Sequence, residues 1–272
     1  MPTVKQNFEA WDKTYDWNEK GDEWSKPWGG TNMEWYFTIL PRIHEFVPTE
    51  TILEIGPGFG RWTQFLAKLC KNLILVDLSG KCISHCQKAF NAYSHIKYYV
   101  NDGKSLDMIQ DESIDFVFSF DSLIHVEEDV IETYLYQLGK KMKQNGVGFI
   151  HHSNIGVHKT YFSLLRKIPN GMIKRTFIKL GIIEPSEYWR AYSMTANKFK
   201  CLAEKAGLKC LSQEIINWRT KNKLIDCISV FAKKDSNRAH RDEVMINKNF
   251  MKEVNQINRL SRLYNTENIN KS

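Results

Sequence analysis

The chain has 272 residues, of which 42% are hydrophobic and 25% charged, with a formal net charge of +7. This is ordinary for a globular protein, and the length allows one large α/β domain with additions or two small ones. No apolar run reaches the roughly 18 residues of a membrane span, and the N-terminal stretch lacks the apolar core of a signal peptide, so the expected compartment is the cytoplasm.

Residues 1–50 form an aromatic extension carrying Trp11, Tyr15, Trp17, Trp24, Trp28, Trp35, Tyr36 and Phe37. Rings of this size dominate packing, and Met33 to Phe46 has an amphipathic helical pattern, so one reading is that they bind the extension to the core. The other reading is a flap. Asp22-Glu23-Trp24-Ser25-Lys26-Pro27-Trp28-Gly29-Gly30 combines turn residues with ring faces that attract a cation, and Trp28 and Trp35 are its candidate contacts. Next, Thr51 to Ile55 reads as a buried strand, Gly56-Pro57-Gly58-Phe59-Gly60 as a tight turn, and Trp62 to Cys70 as a helix. Glycine lets the backbone approach a ligand closely, and the following helix offers unpaired N–H groups to an anion. A dinucleotide fingerprint needs a third glycine at position 61, where this chain has Arg61, which argues against a nicotinamide-dependent oxidoreductase.

Leu73 to Val76 is a continuous apolar run ending in Asp77, the pattern of a parallel strand buried on both faces. An acid there, about twenty positions beyond the glycines, is placed to accept hydrogen bonds from two ribose hydroxyls. A helix over Lys81 to Ala92 and a strand over Ile96 to Val100 lead to Asn101-Asp102-Gly103, which by itself reads as a turn. Ile114 to Phe120 is the clearest strand and runs into Asp121-Ser122-Leu123-Ile124-His125. Glu128 to Lys143 is the next helix, stopped by Asn145-Gly146, and Val147 to Ile150 is a fifth strand ending in His151-His152-Ser153-Asn154. Strands alternating with helices predict a doubly wound parallel sheet. Every polar cluster named here falls at the C-terminal end of a strand, where such sheets bind ligands.

Residues 155–192 interrupt that alternation. Lys159, Arg166, Lys167, Lys174, Arg175, Lys179 and Arg190 oppose Glu184 and Glu187, with Tyr161, Phe162, Phe177, Tyr188, Trp189 and Tyr192 interleaved. This is either a solvated helical face or a cationic lid that selects a phosphate-bearing acceptor. A helix then ends near Gly207, and Leu208 to Ile216 and Asp226 to Ala232 are two more strands. Beyond Ser236, Ile246, Phe250, Val254, Ile257 and Leu260 recur at helical spacing, predicting a helix that packs on the body or pairs with a second copy as a homodimer. The six cysteines contain no CxxC pair, so neither a metal site nor a disulfide framework is expected.

The G-x-G-x-G turn with Glu54 before it, Asp77, and the polar strand ends resemble class I S-adenosylmethionine-dependent methyltransferases over Thr51 to Asn154 and again over Thr195 to Lys233. The resemblance implies an α/β, doubly wound, Rossmann-like seven-stranded sheet. Its divisions here are the extension and cofactor flap (1–50), the core (51–154), the basic lid (155–192), the rest of the sheet (193–234) and a helical tail (235–272). It also implies that S-adenosylmethionine is held by Glu54, Gly56, Pro57, Gly58, Gly60, Asp77, Leu78, Asn101, Asp102, Gly103, Phe120 and Asp121, with Asp102 on the adenine amine and Trp28 and Trp35 over the sulfonium. Phe118 to Ser122 with His125, and His151 to Asn154, resemble more narrowly the bacterial small-molecule and surface-glycan methyltransferases.

Methyl transfer from a sulfonium is an in-line displacement that positioning accelerates without a metal. A neutral hydroxyl acceptor needs a base, and the candidates are His125, His151 and His152. The last two are adjacent on a strand and point to opposite sides. Asn154, Tyr188, Arg190 and Tyr192 are the candidate acceptor contacts. The expected reaction is O-methylation of a small anionic or sugar-like acceptor, a phosphorylated or nucleotide-linked sugar or polyol. Net charge favours an RNA methyltransferase, but no RNA-binding module is recognisable and the fourth strand lacks an Asn/Asp-Pro-Pro-aromatic end, so nucleic acid is the disfavoured partner. A non-catalytic cofactor-binding subunit is the remaining alternative.

Overall fold

The computed structural model describes residues 2–169, 171–180, 183–184 and 189–264. Among them, one eight-stranded sheet is built from β1 (Thr49–Ile55), β2 (Cys70–Asp77), β3 (Ile96–Val100), β4 (Ile114–Ser119), β5 (Met142–Ser153), β6 (Leu208–Ile216), β7 (Asp226–Lys233) and β8 (Glu243–Asn247), in the order β3-β2-β1-β4-β5-β7-β6-β8. The first five strands run parallel, and β7 enters antiparallel between β5 and β6. The seven expected strands are present. The eighth, β8, pairs with β6 and comes from the tail, so Ile246 lies in a strand and the tail helix starts at Phe250.

Side-chain alternation explains why the central strands are apolar throughout. Ile52, Leu73, Leu75, Phe116 and Phe118 pack on one face against Trp28, Trp35, Ile39 and Phe250. Leu53, Val76, Val117 and Ile150 pack on the other against Leu135 and Leu138 of the Glu128–Lys141 helix and Phe199 and Leu202 of the Ala196–Lys205 helix. The first face is covered by the Asp22–Trp28 turn of 3-10 helix, by the consecutive helical segments Thr31–Glu34, Trp35–Ile39 and Leu40–Ile43, and by the Phe250–Tyr264 helix. Phe250 and Val254 are buried, and Asn258 Nδ2 donates to the carbonyls of Lys26 and Pro27, so the tail helix packs on the N-terminal segment of its own chain.

Two boundaries differ from the sequence reading. The helix after the glycine turn spans only Thr63–Leu66, because Cys70 already opens β2. Asn145-Gly146, expected to stop a helix, lies inside β5, which starts at Met142 beside a register irregularity with β4. Gly146 suits that place: a Cβ there would lie 2.7 Å from the carbonyl oxygen of Ile114.

Candidate active site

β1 and β4 are neighbours in the sheet, but the chain leaves β1 toward the first face and β4 toward the second. A crevice therefore opens at their C-terminal ends. It holds a cleft of about 540 Å³, open solvent at its mouth included. Gly56, Pro57, Gly58, Asp77, Phe120 and Asp121 line its floor and walls, and Trp11, Trp17 and Trp24 close it from the N-terminal segment. Gly56 has φ +72° and a Cβ there would sit 1.9 Å from Ser122 Oγ, while Gly58 has φ +57° and a Cβ would sit 2.9 Å from the Trp17 ring. Side chains at either position would fill the cradle. A second lobe, sharing Gly56, Asp77, Ser122 and His125, is lined by Leu78 and Gly103. A third shares Trp11, Trp24, Asp121 and His125 and adds Arg190, Trp218 and Arg219.

The roof is tied to the walls. Asp12 Oδ1 accepts from Ser79 Oγ (2.8 Å) and from the Lys81 backbone N–H (3.1 Å) at the start of the Gly80–Ala89 helix. Trp17 stacks on Phe59 at 4.5 Å, and Phe59 stacks in turn on His85. Asn7 Nδ2 donates to the His125 carbonyl, and Trp11 lies 5.2 Å from the His125 ring.

Charge in the site is arranged in buried groups. Arg61 Nη2 pairs with Asp121 at 2.8 Å, and its guanidinium lies over Trp62 and Trp24. Burial alone would raise the Asp121 carboxyl, but Arg61 and Arg190 outweigh it and hold the pKa below the ordinary value. Asp121 takes φ +61°, a conformation that residues other than glycine seldom adopt. Behind Arg61 lies Glu34, fully buried, 3.7 Å from Nη1 and with no hydrogen bond to either oxygen; burial dominates and raises its pKa to about 8. Asp77 accepts from the backbone N–H of Gly58 (3.1 Å) and Ser79 (2.8 Å), yet burial still raises it to about 6. His125 Nδ1 bonds to the Trp189 carbonyl and must be the protonated nitrogen there, leaving Nε2 with the lone pair; burial lowers its pKa to about 3, so the ring is neutral.

The expected residues separate into two groups. Gly56, Pro57, Gly58, Asp77, Phe120, Asp121 and His125 line the cavity, Leu78 and Gly103 its second lobe, and Arg190 its third. The others are placed elsewhere. Trp28 is buried against Trp218 and Phe250 with Nε1 donating to Thr38 Oγ1, and Trp35 stacks on Phe65, so both pack the core rather than cover a ligand. Glu54 is buried and accepts from Thr63 Oγ1, while Gly60 sits against Phe90 and Cys86. Asn101 Nδ2 donates to Ser105 O and Tyr134 OH, and Asp102 Oδ1 accepts from the backbone N–H of Lys104 and Ser105, which makes this stretch the turn it also resembled. His151 is enclosed by Phe120 and Trp218, with Nδ1 accepting from the Asp121 backbone N–H and Nε2 3.3 Å from Asp226. His152 is on the opposite face, stacked on Phe199 and bonded to Ser229 Oγ. Asn154 braces Leu224 O and Ala196 N, and Tyr192 packs on Phe162 under Arg166. Tyr188 lies outside the described residues. Trp11, Trp17, Trp24, Arg61 and Ser122 were missed as site residues. Arg61 directly follows the glycine turn, a position that could have marked it; no local signal separates Trp24 from Trp28.

Residues 52–146 match the family model described as "Methyltransferase domain". A solved structure of a SAM-dependent methyltransferase from Methanosarcina mazei superposes with a TM-score of 0.54 at 17% identity, covering 71% of this chain and 97% of that one. The fold is that of the class I SAM-dependent methyltransferases. Two relatives of this methyltransferase core differ in their named substrates. Ribosomal RNA small subunit methyltransferase A of Coxiella burnetii is 41% identical over 69 residues, 25% of this chain and 26% of its own. Phosphoethanolamine N-methyltransferase 1 of Zea mays is 29% identical over 198 residues, 66% of this chain and 37% of its own. The matches span less than half of either relative. The first overturns the expectation that nucleic acid is the disfavoured partner, because the name of that relative is an RNA-modifying one. Neither name points to the sugar or polyol acceptor expected from the sequence.

Proposed function

We propose that the chain binds S-adenosylmethionine in the β1–β4 crevice and transfers its methyl group to a small polar acceptor in the lobe between Trp11, Trp24, Asp121 and His125. The observation that supports this most is the continuity of one roofed cavity from the glycine cradle and Asp77 to Asp121 and His125. When bound, the sulfonium supplies an electrophilic methyl group. Gly56 and Gly58 admit the amino-acid end because no Cβ stands in the way. Asp77, its oxygens already fixed by Gly58 and Ser79, presents its remaining lone pairs to the ribose hydroxyls. The faces of Trp11 and Trp24 favour the positive sulfonium, and Arg190 and Arg219 bring cations to the acceptor's lobe. His125, neutral and held by Trp189, accepts the proton that the acceptor loses.

Calorimetry with S-adenosylmethionine tests the first half: Asp77→Ala should weaken binding about tenfold or more, as loss of a charged hydrogen-bond acceptor does. No heat with the wild type, or equal affinity in the variant, sinks it. Similarity to the Coxiella enzyme, together with the +7 charge, supports a second reading in which the acceptor is ribosomal RNA. Labelled methyl transfer separates the two. Incorporation into phosphoethanolamine supports the small acceptor, and incorporation into small-subunit RNA supports the second reading.

A further inference from the structure

Among the described residues of the expected lid (155–192), Arg190 reaches a cavity lobe and the Lys159–Lys167 and Met172–Lys179 helices do not. Each has a fixed inner edge. Phe162 and Leu165 are buried under the first helix, and the buried Lys174 of the second donates through Nζ to the carbonyls of Leu165 (3.0 Å) and Ile168 (3.1 Å), locking the pair together. Their outer surface is apolar as well. Leu164 is 59% exposed, Met172 84% and Leu180 63%, with Phe177 also open to solvent. Such a concentration of uncovered apolar side chains marks an interaction surface rather than ordinary scatter. Around it stand the exposed Lys159, Arg166, Lys167, Arg175 and Lys179. Glu184, the acid of this stretch within the described residues, turns Oε1 toward the backbone N–H of Lys221.

We propose that these two helices dock the protein on an anionic lipid surface, with Leu164, Met172, Phe177 and Leu180 entering the headgroup boundary and the surrounding cations meeting acidic headgroups. The charged side chains of the two helices are all cationic and the protruding ones mainly aliphatic, which is what a bilayer interface takes up. A single-stranded nucleic acid would use the cations but would want flat stacking platforms in place of Leu and Met. The contact is superficial, since no helix among the described residues is long and apolar enough to cross a membrane.

Sedimentation of the full chain with vesicles of phosphatidylcholine and phosphatidylglycerol in equal parts, beside vesicles of phosphatidylcholine alone, tests the proposal. Binding to the mixed vesicles is expected. It should fall about tenfold or more on phosphatidylcholine alone, and likewise in the Leu164→Asp/Met172→Asp and the Lys167→Glu/Arg175→Glu variants. All four substituted side chains are exposed, so the melting curves should stay with the wild type. Absence of binding, equal binding to both vesicle types, or binding unchanged in both variants overturns the proposal. So does retention of bulk RNA, without vesicle binding, that only the charge-reversed variant loses, because the surface then belongs to nucleic acid.

Discussion

The N-terminal segment and the Lys159–Lys179 region both set aromatic rings among charges, yet Trp11, Trp17 and Trp24 close a cavity whereas Phe177 stays exposed. The difference lies in the anchors. Asn7 and Asp12 bond to His125, Ser79 and Lys81, all on elements that wall the crevice, and Trp17 stacks on the glycine turn through Phe59. Lys174 instead bonds to carbonyls of its own helical pair. Composition brings apolar area to a segment, but polar anchors decide which surface it covers.

The strongest way to break this comparison is to remove the charge that joins roof to floor. Arg61 pairs with Asp121, bonds to Ser25 Oγ and stacks on Trp24, so Arg61→Ala leaves the largely enclosed Asp121 carboxylate without its cation. Unfolding in urea should show a loss of about 3–5 kcal/mol. Arg175→Ala, exposed on the other region, should change stability by less than about 0.5 kcal/mol. If the two variants unfold alike, buried charge does not distinguish the regions.

Legibility in the sequence follows the same division. Leu73 to Val76 and Ile114 to Phe120 could be read as strands because burial on both faces forces a continuous apolar run, and that places Asp77 and Asp121 at the sheet's edge without further information. Trp28 and Trp24 could not be told apart, since one ring meets Trp218 and Phe250 from the far end of the chain and the other meets Arg61. The length of β5 and the existence of β8 were hidden for a related reason. Lys143, Asn145 and Gly146 are poor strand formers lying in the register irregularity between Met142 and Val147, and β8 is an exposed edge whose only sheet partner is β6 among the described residues.

The histidines sharpen the comparison at the scale of two adjacent residues and one distant one. His125 lines all three lobes, while His152 is stacked on Phe199 beyond the sheet. His125→Asn should lower kcat about tenfold or more, the lower end of what a positioned base contributes. His152→Gln should leave kcat within about twofold of the wild type, although it costs stability through its lost stack. Equal kcat losses would mean that the pocket face of the sheet does not carry the chemistry. Because His125 is neutral down to about pH 3, kcat should show no inflection from it near pH 6.5.

The smallest expected effect concerns pH. Burial lifts the Glu34 carboxyl from its ordinary 4.5 to about 8, outweighing Arg61, so the folded protein keeps a proton that the unfolded chain gives up across that interval. Stability from this group is fully present below pH 4.5 and is lost as the pH rises through 8. Asp77, lifted from 3.8 to about 6, acts with the same sign over a lower window. Glu34→Gln keeps the shape but cannot ionise, so its melting temperature should fall less than that of the wild type between about pH 4.5 and 8, while the share of the loss due to Asp77, complete by about pH 6, remains in both. A wild-type curve that is flat above pH 6, or a variant curve parallel to it throughout, would mean that Arg61 holds Glu34 ionised. The three charges beneath the roof would then form one permanent ion cluster, with no proton held at Glu34.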